Sequence, residues 1–158
     1  MNGLFKHILL FILLQSGSWT FASPEDAFNT FISFKGKWNI QSEGKPLSIK
    51  MIYDDGSKSS VVTEYFGKEL SVIYRDGKDL LMTHFCNSGN QPRLKFQERS
   101  RPGFLEFVLF DVTNLKNPDA PHVQKIIYKI INNKRLELEL VWKKGNSEES
   151  EKYLLTKI

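Results

Sequence analysis

The spacing of apolar side chains is that of a helix near the start of the chain and that of strands in the rest. Phe28, Phe31 and Ile32 recur at three- and four-residue intervals and form one apolar helix face. Ser23 is a favoured N-cap, and Pro24 suits the first helical position. The pattern predicts a short helix that begins after Ser23 and lies across one end of the structure that follows.

From residue 36 onward, apolar and polar residues alternate in short segments rich in Val, Ile, Tyr and Phe. Clusters of Gly, Asn, Asp and Pro separate the segments, as is typical of strands joined by hairpins. Ten strands are predicted, over residues 37–42, 47–54, 60–66, 69–75, 80–86, 93–98, 104–111, 123–131, 135–143 and 152–157. The longest interruption, residues 114–122, predicts a loop or a single helical turn.

The alternation also predicts which face of each strand is buried. Leu136, Leu138 and Leu140 share one face, and Glu137 and Glu139 share the other. Ten such strands can bury one continuous apolar face by closing on themselves, which also removes exposed edges. We therefore expect an all-β fold, a closed antiparallel up-and-down barrel of about ten strands with a short N-terminal helix. A two-sheet sandwich is the alternative.

The first 22 residues have the features of a secretory signal peptide. A short polar start with Lys6 precedes an apolar run at residues 8–14, and the small side chains of Thr20 and Ala22 fit a cleavage site. The run is far shorter than the roughly 20 residues that span a bilayer, which disfavours a membrane anchor. We expect residues 1–22 to be removed and residues 23–158 to form one exported domain, periplasmic or extracellular, without stable membrane insertion.

The composition fits a globular domain and narrows the function classes. The 158 residues are 41% hydrophobic, 25% charged and 13% aromatic, which excludes a disordered chain. The formal net charge is only +4, and the basic residues are interleaved with acidic ones. Because nucleic-acid-binding proteins usually cluster their basic residues, we expect no nucleic-acid partner. The pattern does not predict an oligomeric state.

Cysteine and histidine are too scarce for an internal disulfide or a zinc site. Cys86 is the only cysteine, so we expect a buried, unpaired thiol. Outside the N-terminal segment the histidines are His84 and His122, whereas a structural zinc site needs four ligands. We expect no metal and no cofactor. A haem bound through His122 is the alternative.

The segment Gly36-Lys37-Trp38, after a helix and before a meander of strands, resembles the lipocalin and fatty-acid-binding superfamily. The resemblance implies a lipocalin-like (calycin-like) barrel with Trp38 at its closed end. Typical lipocalins also carry a disulfide, which this chain cannot form, and a later arginine packed on the tryptophan. Lys157 and Arg135 are the candidates for that later position.

A second stretch, Met82-Thr83-His84-Phe85-Cys86 followed by Gly89-Asn90-Gln91-Pro92-Arg93, is similar to a stretch of uncharacterised bacterial exported proteins of about this size. It covers about a dozen residues. The resemblance implies a lipocalin-like barrel and brings no activity with it.

The polar residues of this hairpin are the candidate site. Period two places His84 on the inner face of its strand. His84, Gln91 and Arg93 could converge at the rim of an apolar cavity, as in many small-molecule sites, with Tyr53 and Tyr128 as candidate aromatic contacts. In the alternative interpretation, Arg93 only braces the end of its strand.

These observations predict an exported small-molecule binding protein whose ligand is small and largely apolar. Two alternatives stay open. One is an enzyme that uses the interior with His84 as general acid or base, and the other is a surface-acting envelope interaction protein with a filled core. Cys86 beside His84 could be a nucleophile only with an orienting third group and oxyanion donors, which spacing alone does not show.

Overall fold

The computed structural model describes residues 23–54, 60–98 and 100–158, which form one short helix and ten strands. The predicted signal peptide lies outside the described residues. The elements are α1 Pro24–Ser33, β1 Gly36–Ser42, β2 Lys45–Asp54, β3 Val61–Phe66, β4 Glu69–Asp76, β5 Asp79–Phe85, β6 Gln91–Phe96, β7 Phe104–Thr113, β8 His122–Asn132, β9 Arg135–Lys144 and β10 Ser147–Lys157. No helix in these described ranges is long and apolar enough to cross a membrane.

All ten strands belong to one antiparallel sheet. Each strand pairs with the strand before it and the strand after it, and β1 pairs with β10 as well as with β2. Trp38, for example, is opposite Lys157 of β10 on one side and Met51 of β2 on the other. The alternative of two stacked sheets is therefore wrong.

The predicted closed, lipocalin-like barrel also needs correction, because the sheet does not close into a barrel along the full length of its strands. β3 ends at Phe66, where the chain turns at Gly67 with a φ of 63°. β2 pairs with β3 only through residues 51–54, so residues 45–50 have no ladder on that side among the described residues. Alternation identifies the two faces of a strand but not the extent of each ladder, so it could not predict this opening.

The strand bounds differ most from the prediction in β10. This strand begins at Ser147, five residues before the predicted start, and Ser147 to Glu151 pair with β9 throughout. The paired segment Ser-Glu-Glu-Ser-Glu is entirely polar, so it lacks the apolar alternation from which strands are recognised.

The helix begins with a reciprocal cap, as the sequence predicts. The Ser23 hydroxyl accepts a hydrogen bond from the Asp26 amide at 3.1 Å, and the Asp26 carboxylate accepts one from the Ser23 amide at 3.2 Å. This carboxylate hydrogen bonding keeps the pKa of Asp26 below its usual value. Ala27, Phe28 and Phe31 are buried against one end of the sheet, which we call the helix end. The opposite end, where the β1–β2, β3–β4 and β5–β6 turns lie, is called the far end.

Aromatic rings fill the interior at the helix end. Trp38 is 0% exposed, its indole nitrogen donates to the Phe34 carbonyl at 2.8 Å, and its ring packs edge-on against Phe34. Phe31 contacts Tyr128 and Phe107 with ring centroids 4.9 and 5.8 Å apart. The expectation that Trp38 is buried where the first strand begins is confirmed.

Replacing Trp38 should therefore destabilise the whole domain. Trp38→Ala removes a fully buried ring together with its hydrogen bond to the Phe34 carbonyl, so we expect a loss of about 3 to 5 kcal/mol in the free energy of unfolding. Phe110, which is 52% exposed, provides the matched control, and Phe110→Ala should change that free energy by less than about 1 kcal/mol. Urea titration followed by fluorescence or circular dichroism measures both. Equal stability of Trp38→Ala and the parent would contradict the packing.

Candidate functional site

Three polar side chains form a row across neighbouring strands on the inner face of the sheet. Glu64 of β3 lies opposite Ser71 of β4, and Ser71 lies opposite His84 of β5. All three are buried, with exposures of 4%, 1% and 3%. Cross-strand register alone therefore brings a carboxylate, a hydroxyl and an imidazole together inside an otherwise apolar core.

A continuous chain of hydrogen bonds joins this row to Tyr128, on the other side of the core. The Tyr128 hydroxyl donates to Glu64 Oε2 at 2.7 Å, and the Ser71 hydroxyl donates to Glu64 Oε1 at 3.1 Å. Ser71 Oγ is also 3.1 Å from His84 Nδ1. Burial and the Glu64 carboxylate hold the pKa of Tyr128 well above its usual value, so the phenol stays a donor.

The donors in this chain determine which nitrogen of His84 carries the proton. Ser71 has one hydroxyl hydrogen, which it donates in the hydrogen bond to the Glu64 carboxylate. Ser71 Oγ must then accept at His84, so Nδ1 is the protonated nitrogen. Nε2 is left with a lone pair and has no hydrogen-bond partner among the described residues. It is a buried acceptor in need of a donor.

Burial also keeps the imidazole neutral. Desolvation lowers the pKa of His84 from 6.5 to about 4. Its Nε2 is 3.7 Å from Glu69 Oε2, too far for a hydrogen bond but close enough for a small donor to bridge the two atoms. At neutral pH His84 therefore presents an acceptor to this carboxyl group rather than a positive charge.

Glu69 belongs to an acidic group at the far end of the sheet. Its Oε1 accepts from the Asn87 amide at 3.1 Å, and its pKa is raised mainly by burial and further by the Glu151 carboxylate. The Tyr153 hydroxyl donates to Glu151 Oε2 at 2.6 Å, and burial and these carboxylates raise the pKa of Tyr153. We call His84, Glu69, Glu151 and Tyr153 the acidic site.

Partly buried apolar side chains lie at the same end. Leu47, Phe66, Trp142 and Tyr153 pack against the core without being fully covered. Phe66 and Tyr153 stack edge-on with ring centroids 5.1 Å apart. The buried Trp142 Nε1 has no hydrogen-bond partner within the described ranges. The opening beside β2 adjoins this end, because residues 45–50 extend past the β3–β4 turn that leads into Glu69.

The two candidate nucleophiles near His84 are not activated. Cys86 is a free, buried thiol, as predicted, and burial together with the Glu69 carboxylate raises its pKa to about 12. It therefore stays protonated at neutral pH. Ser71 is almost completely buried, and its hydroxyl donates to the Glu64 carboxylate rather than to the His84 imidazole.

The structure does not bring Gln91 and Arg93 to His84. Arg93 lies opposite Thr83, on the outer face, where it pairs with Asp111 and stacks over Phe110. Gln91 accepts from the Thr113 hydroxyl at 2.7 Å and donates to the Gly89 carbonyl at 3.0 Å on the surface. Both act as braces between β6 and its neighbours, which is the alternative interpretation of Arg93.

The other predicted site residues, Tyr128, Tyr53 and His122, lie in three different places. Tyr128 is a fully buried member of the hydrogen-bond chain rather than a residue at the rim. The side chain of Tyr53 lies outside the described part of the structure, although its backbone belongs to β2. His122 donates from Nδ1 to the Ala120 carbonyl at 2.8 Å and accepts at Nε2 from the Gln124 amide at 2.7 Å. Both nitrogens are used, so this placement lends no support to a haem ligand.

Sequence reasoning missed Glu64, Ser71, Glu69 and the acidic partner of Tyr153. A signal for Glu64 was present, because alternation places it on the same face as Val62 and Phe66 in β3. A charged residue at an inward position is costly unless it is paired, and it therefore marks a polar site. The hydrogen-bond partners required the cross-strand register, which the sequence pattern does not contain.

Two further observations limit the alternatives. In the part of the chain that the structure describes, His, Cys, Asp and Glu side chains do not come together in threes within reach of one metal ion. A groove of about 420 Å³ lies on the outer side of the sheet, and two ion pairs line it, Lys129 with Glu137 at 3.0 Å and Lys152 with Glu139 at 3.5 Å. The buried polar atoms that lack a partner among the described residues are at the far end, so we place the candidate site there.

Comparison with known protein families gives no match for this chain, and comparison with curated proteins gives none either. The resemblance of Gly36-Lys37-Trp38 to the lipocalin superfamily therefore stays a prediction from those residues.

The His84 ring should titrate far below an exposed histidine. We expect a pKa of about 4, measured by the pH dependence of its ring proton signals in NMR, with His84→Gln identifying the signals. Because the unfolded chain binds this proton first, the stability that His84 contributes is complete above pH 6.5 and falls by roughly 1 kcal/mol per pH unit between 6.5 and 4. Titration near 6.5 would contradict the burial of the ring.

The Cys86 thiol should react slowly in the folded protein. Its burial and its pKa of about 12 keep the thiolate scarce. Labelling with a maleimide should be at least about tenfold slower under native conditions than in denaturant, as followed by mass spectrometry. Equal rates in the two conditions, or a disulfide-linked dimer on a non-reducing gel, would show an accessible thiol instead.

Proposed function

We propose that the protein is an exported small-molecule binding protein, and that its ligand binds at the far end of the sheet, at the acidic site. The observation that carries this proposal is His84 Nε2, a buried acceptor without a hydrogen-bond partner among the described residues, which the chain through Ser71 and Glu64 to Tyr128 fixes in place. A buried polar atom without a partner costs about 1 to 3 kcal/mol. A ligand that donates to it would recover that free energy.

The hydrogen-bond chain itself supports a functional role. Tyr128, Glu64, Ser71 and His84 occupy core positions at which apolar side chains would pack without any requirement for partners. Buried polar networks are retained in cores chiefly where they specify a structure or serve a site. Here the network ends in an atom that is not satisfied, which favours a site.

The surroundings suit a ligand that is largely apolar. Leu47, Phe66, Trp142 and Tyr153 offer partly exposed apolar surface around a few polar groups, which is the usual composition of a small-molecule site. Residues 45–50 of β2, which in the described structure have no ladder with β3, provide a side from which a ligand could approach. Packed aromatic rings occupy the interior at the helix end, which supports a site at the far end. The helix end contributes to the stability of the domain.

Binding is favoured over nucleophilic catalysis by the state of the reactive groups. The Cys86 thiol is protonated, and the Ser71 hydroxyl is buried and directed at Glu64. A histidine with a pKa of about 4 is a weak general base at neutral pH. The described residues at this end thus provide acceptors for a ligand and no activated nucleophile.

A second candidate, a surface-acting interaction protein, is favoured by one observation. The outer face of β3, β4 and β5 is a three-by-three array of uncharged side chains in register, and Tyr65 and Phe85 within it are exposed. The array consists of Val61, Thr63, Tyr65, Leu70, Val72, Tyr74, Leu81, Thr83 and Phe85. Contiguous apolar surface of this kind is typical of contact sites.

A neutral apolar probe with one N–H donor, N-phenyl-1-naphthylamine, tests the proposed site. We expect saturable fluorescence enhancement with the parent protein and about tenfold weaker binding by His84→Ala, because a hydrogen bond to a buried acceptor is lost. Arg93→Ala is the matched control on the opposite face and should bind as the parent does. Circular dichroism melting shows that both variants are folded.

Three outcomes would contradict the proposal. They are the absence of saturable binding, equal affinity of folded His84→Ala and parent, and a loss of affinity in Arg93→Ala as large as that in His84→Ala. A loss of probe binding in Phe85→Glu, with His84→Ala unaffected, would move the site to the outer face of β3, β4 and β5.

A further inference from the structure

We infer that the polar end of the ligand is a protonated amine, which the acidic site binds between His84 and the carboxylates of Glu69 and Glu151. This inference rests on the proposed function and names the chemical class of the ligand. The acidic site offers acceptors: His84 Nε2 carries a lone pair, and Glu69 and Glu151 carry carboxylates. An alkylammonium group supplies three donors and one positive charge.

The acidic site has no cationic partner in the part of the chain that the structure describes. Neither Glu69 nor Glu151 pairs with a lysine or arginine among the described residues. The lysine next to Glu151 in the chain, Lys152, is bound to Glu139 on the outer side of the sheet. The Glu151 carboxylate instead acts on Glu69, raising its pKa. Two like charges are thus held close together, and the described lysines and arginines do not pair with either of them.

His84 provides the observation that is independent of the acidic residues. Its Nε2 is buried, unpartnered and 3.7 Å from Glu69 Oε2. The hydrogen bonds from Tyr128 and Ser71 to Glu64 select the tautomer in which Nδ1 donates and Nε2 cannot. A ligand that brings another acceptor would therefore leave this nitrogen unsatisfied, whereas an N–H donor would satisfy it.

Other head groups fit these acceptors less well. A carboxylate would add a third negative charge to a site that already contains two. A hydroxyl has a single hydrogen and could satisfy only one of the three acceptors. The aromatic rings of Phe66 and Tyr153 can cover the alkyl part of an amine and also attract its charge. A primary amine on an apolar chain therefore matches the site best.

Three ten-carbon probes that differ only in the head group test the inference: n-decylamine, n-decanol and decanoate. Each is titrated against bound N-phenyl-1-naphthylamine at neutral pH, below its micelle-forming concentration. We expect the amine to displace the fluorophore at about tenfold lower concentration than the alcohol, and decanoate to be the weakest. An equal chain length keeps the apolar contribution constant.

Charge-removing variants separate the head-group contacts from the apolar contacts. Glu151→Gln and Glu69→Gln should each weaken decylamine binding about five- to tenfold and change decanol binding less than about twofold. Glu139→Gln, on the neighbouring strand and paired with Lys152 on the outer side, is the matched control and should change neither. Two separate acidic variants keep the test informative if one of them fails to fold.

Equal or tighter binding of decanol or decanoate would overturn the inference, as would an equal loss of all three probes in Glu151→Gln and Glu69→Gln. If N-phenyl-1-naphthylamine binds through His84 but decylamine does not displace it, the inference fails and the proposed function stands. If the fluorophore does not bind at all, the proposed function fails with it.

Discussion

The hydrogen-bond chain from Tyr128 to His84 is the constraint on which the proposed site depends. Glu64 accepts from Tyr128 with one oxygen and from Ser71 with the other, so its carboxylate is satisfied inside the core. Because the Ser71 hydrogen is used there, His84 must donate from Nδ1. A carboxylate on β3 thus sets the direction of every later bond and leaves an acceptor at Nε2. Loss of Ser71 would remove the acceptor of the buried His84 Nδ1–H, at a cost of about 1 to 3 kcal/mol.

The two ends of the sheet differ in structure, because the helix end is a packed aromatic core and the far end is only partly covered. At the helix end, Trp38, Phe107 and Tyr128 form a fully buried aromatic core together with Phe31 of α1. At the far end the sheet stays open beside β2, and the apolar side chains are only partly covered. Tyr128 belongs to both parts, since its ring packs on Phe31 while its hydroxyl binds Glu64. The stable end thereby holds the polar chain in position.

Part of this arrangement could be predicted from the sequence, because it follows from local pattern. The Ser23 cap, the apolar helix face and the inward positions of His84 and Cys86 all follow from spacing along a single element. The extent of pairing between β2 and β3 could not be predicted from such spacing, because it depends on where β3 turns relative to β2. The partnership of Glu64, Ser71 and His84 depends on the register of β3, β4 and β5, and the bond from Tyr128 joins Glu64 to a residue 64 positions away in the chain. Arg93 was placed at a rim because it follows the hairpin, although alternation with Leu94 and Phe96 in β6 already puts it on the outer face.

The most direct test of this account is the protonation state of the His84 ring nitrogens, measured by ¹⁵N NMR at neutral pH in long-range proton–nitrogen correlation spectra. The hydrogen-bond chain predicts a neutral ring with the proton on Nδ1 and a pyridine-type, unprotonated Nε2. Replacing Ser71 with alanine should weaken that preference, because the acceptor for Nδ1–H is removed. A ring protonated at Nε2 in the parent protein would contradict the account, since the site would then present a donor to Glu69 and no free acceptor to a ligand.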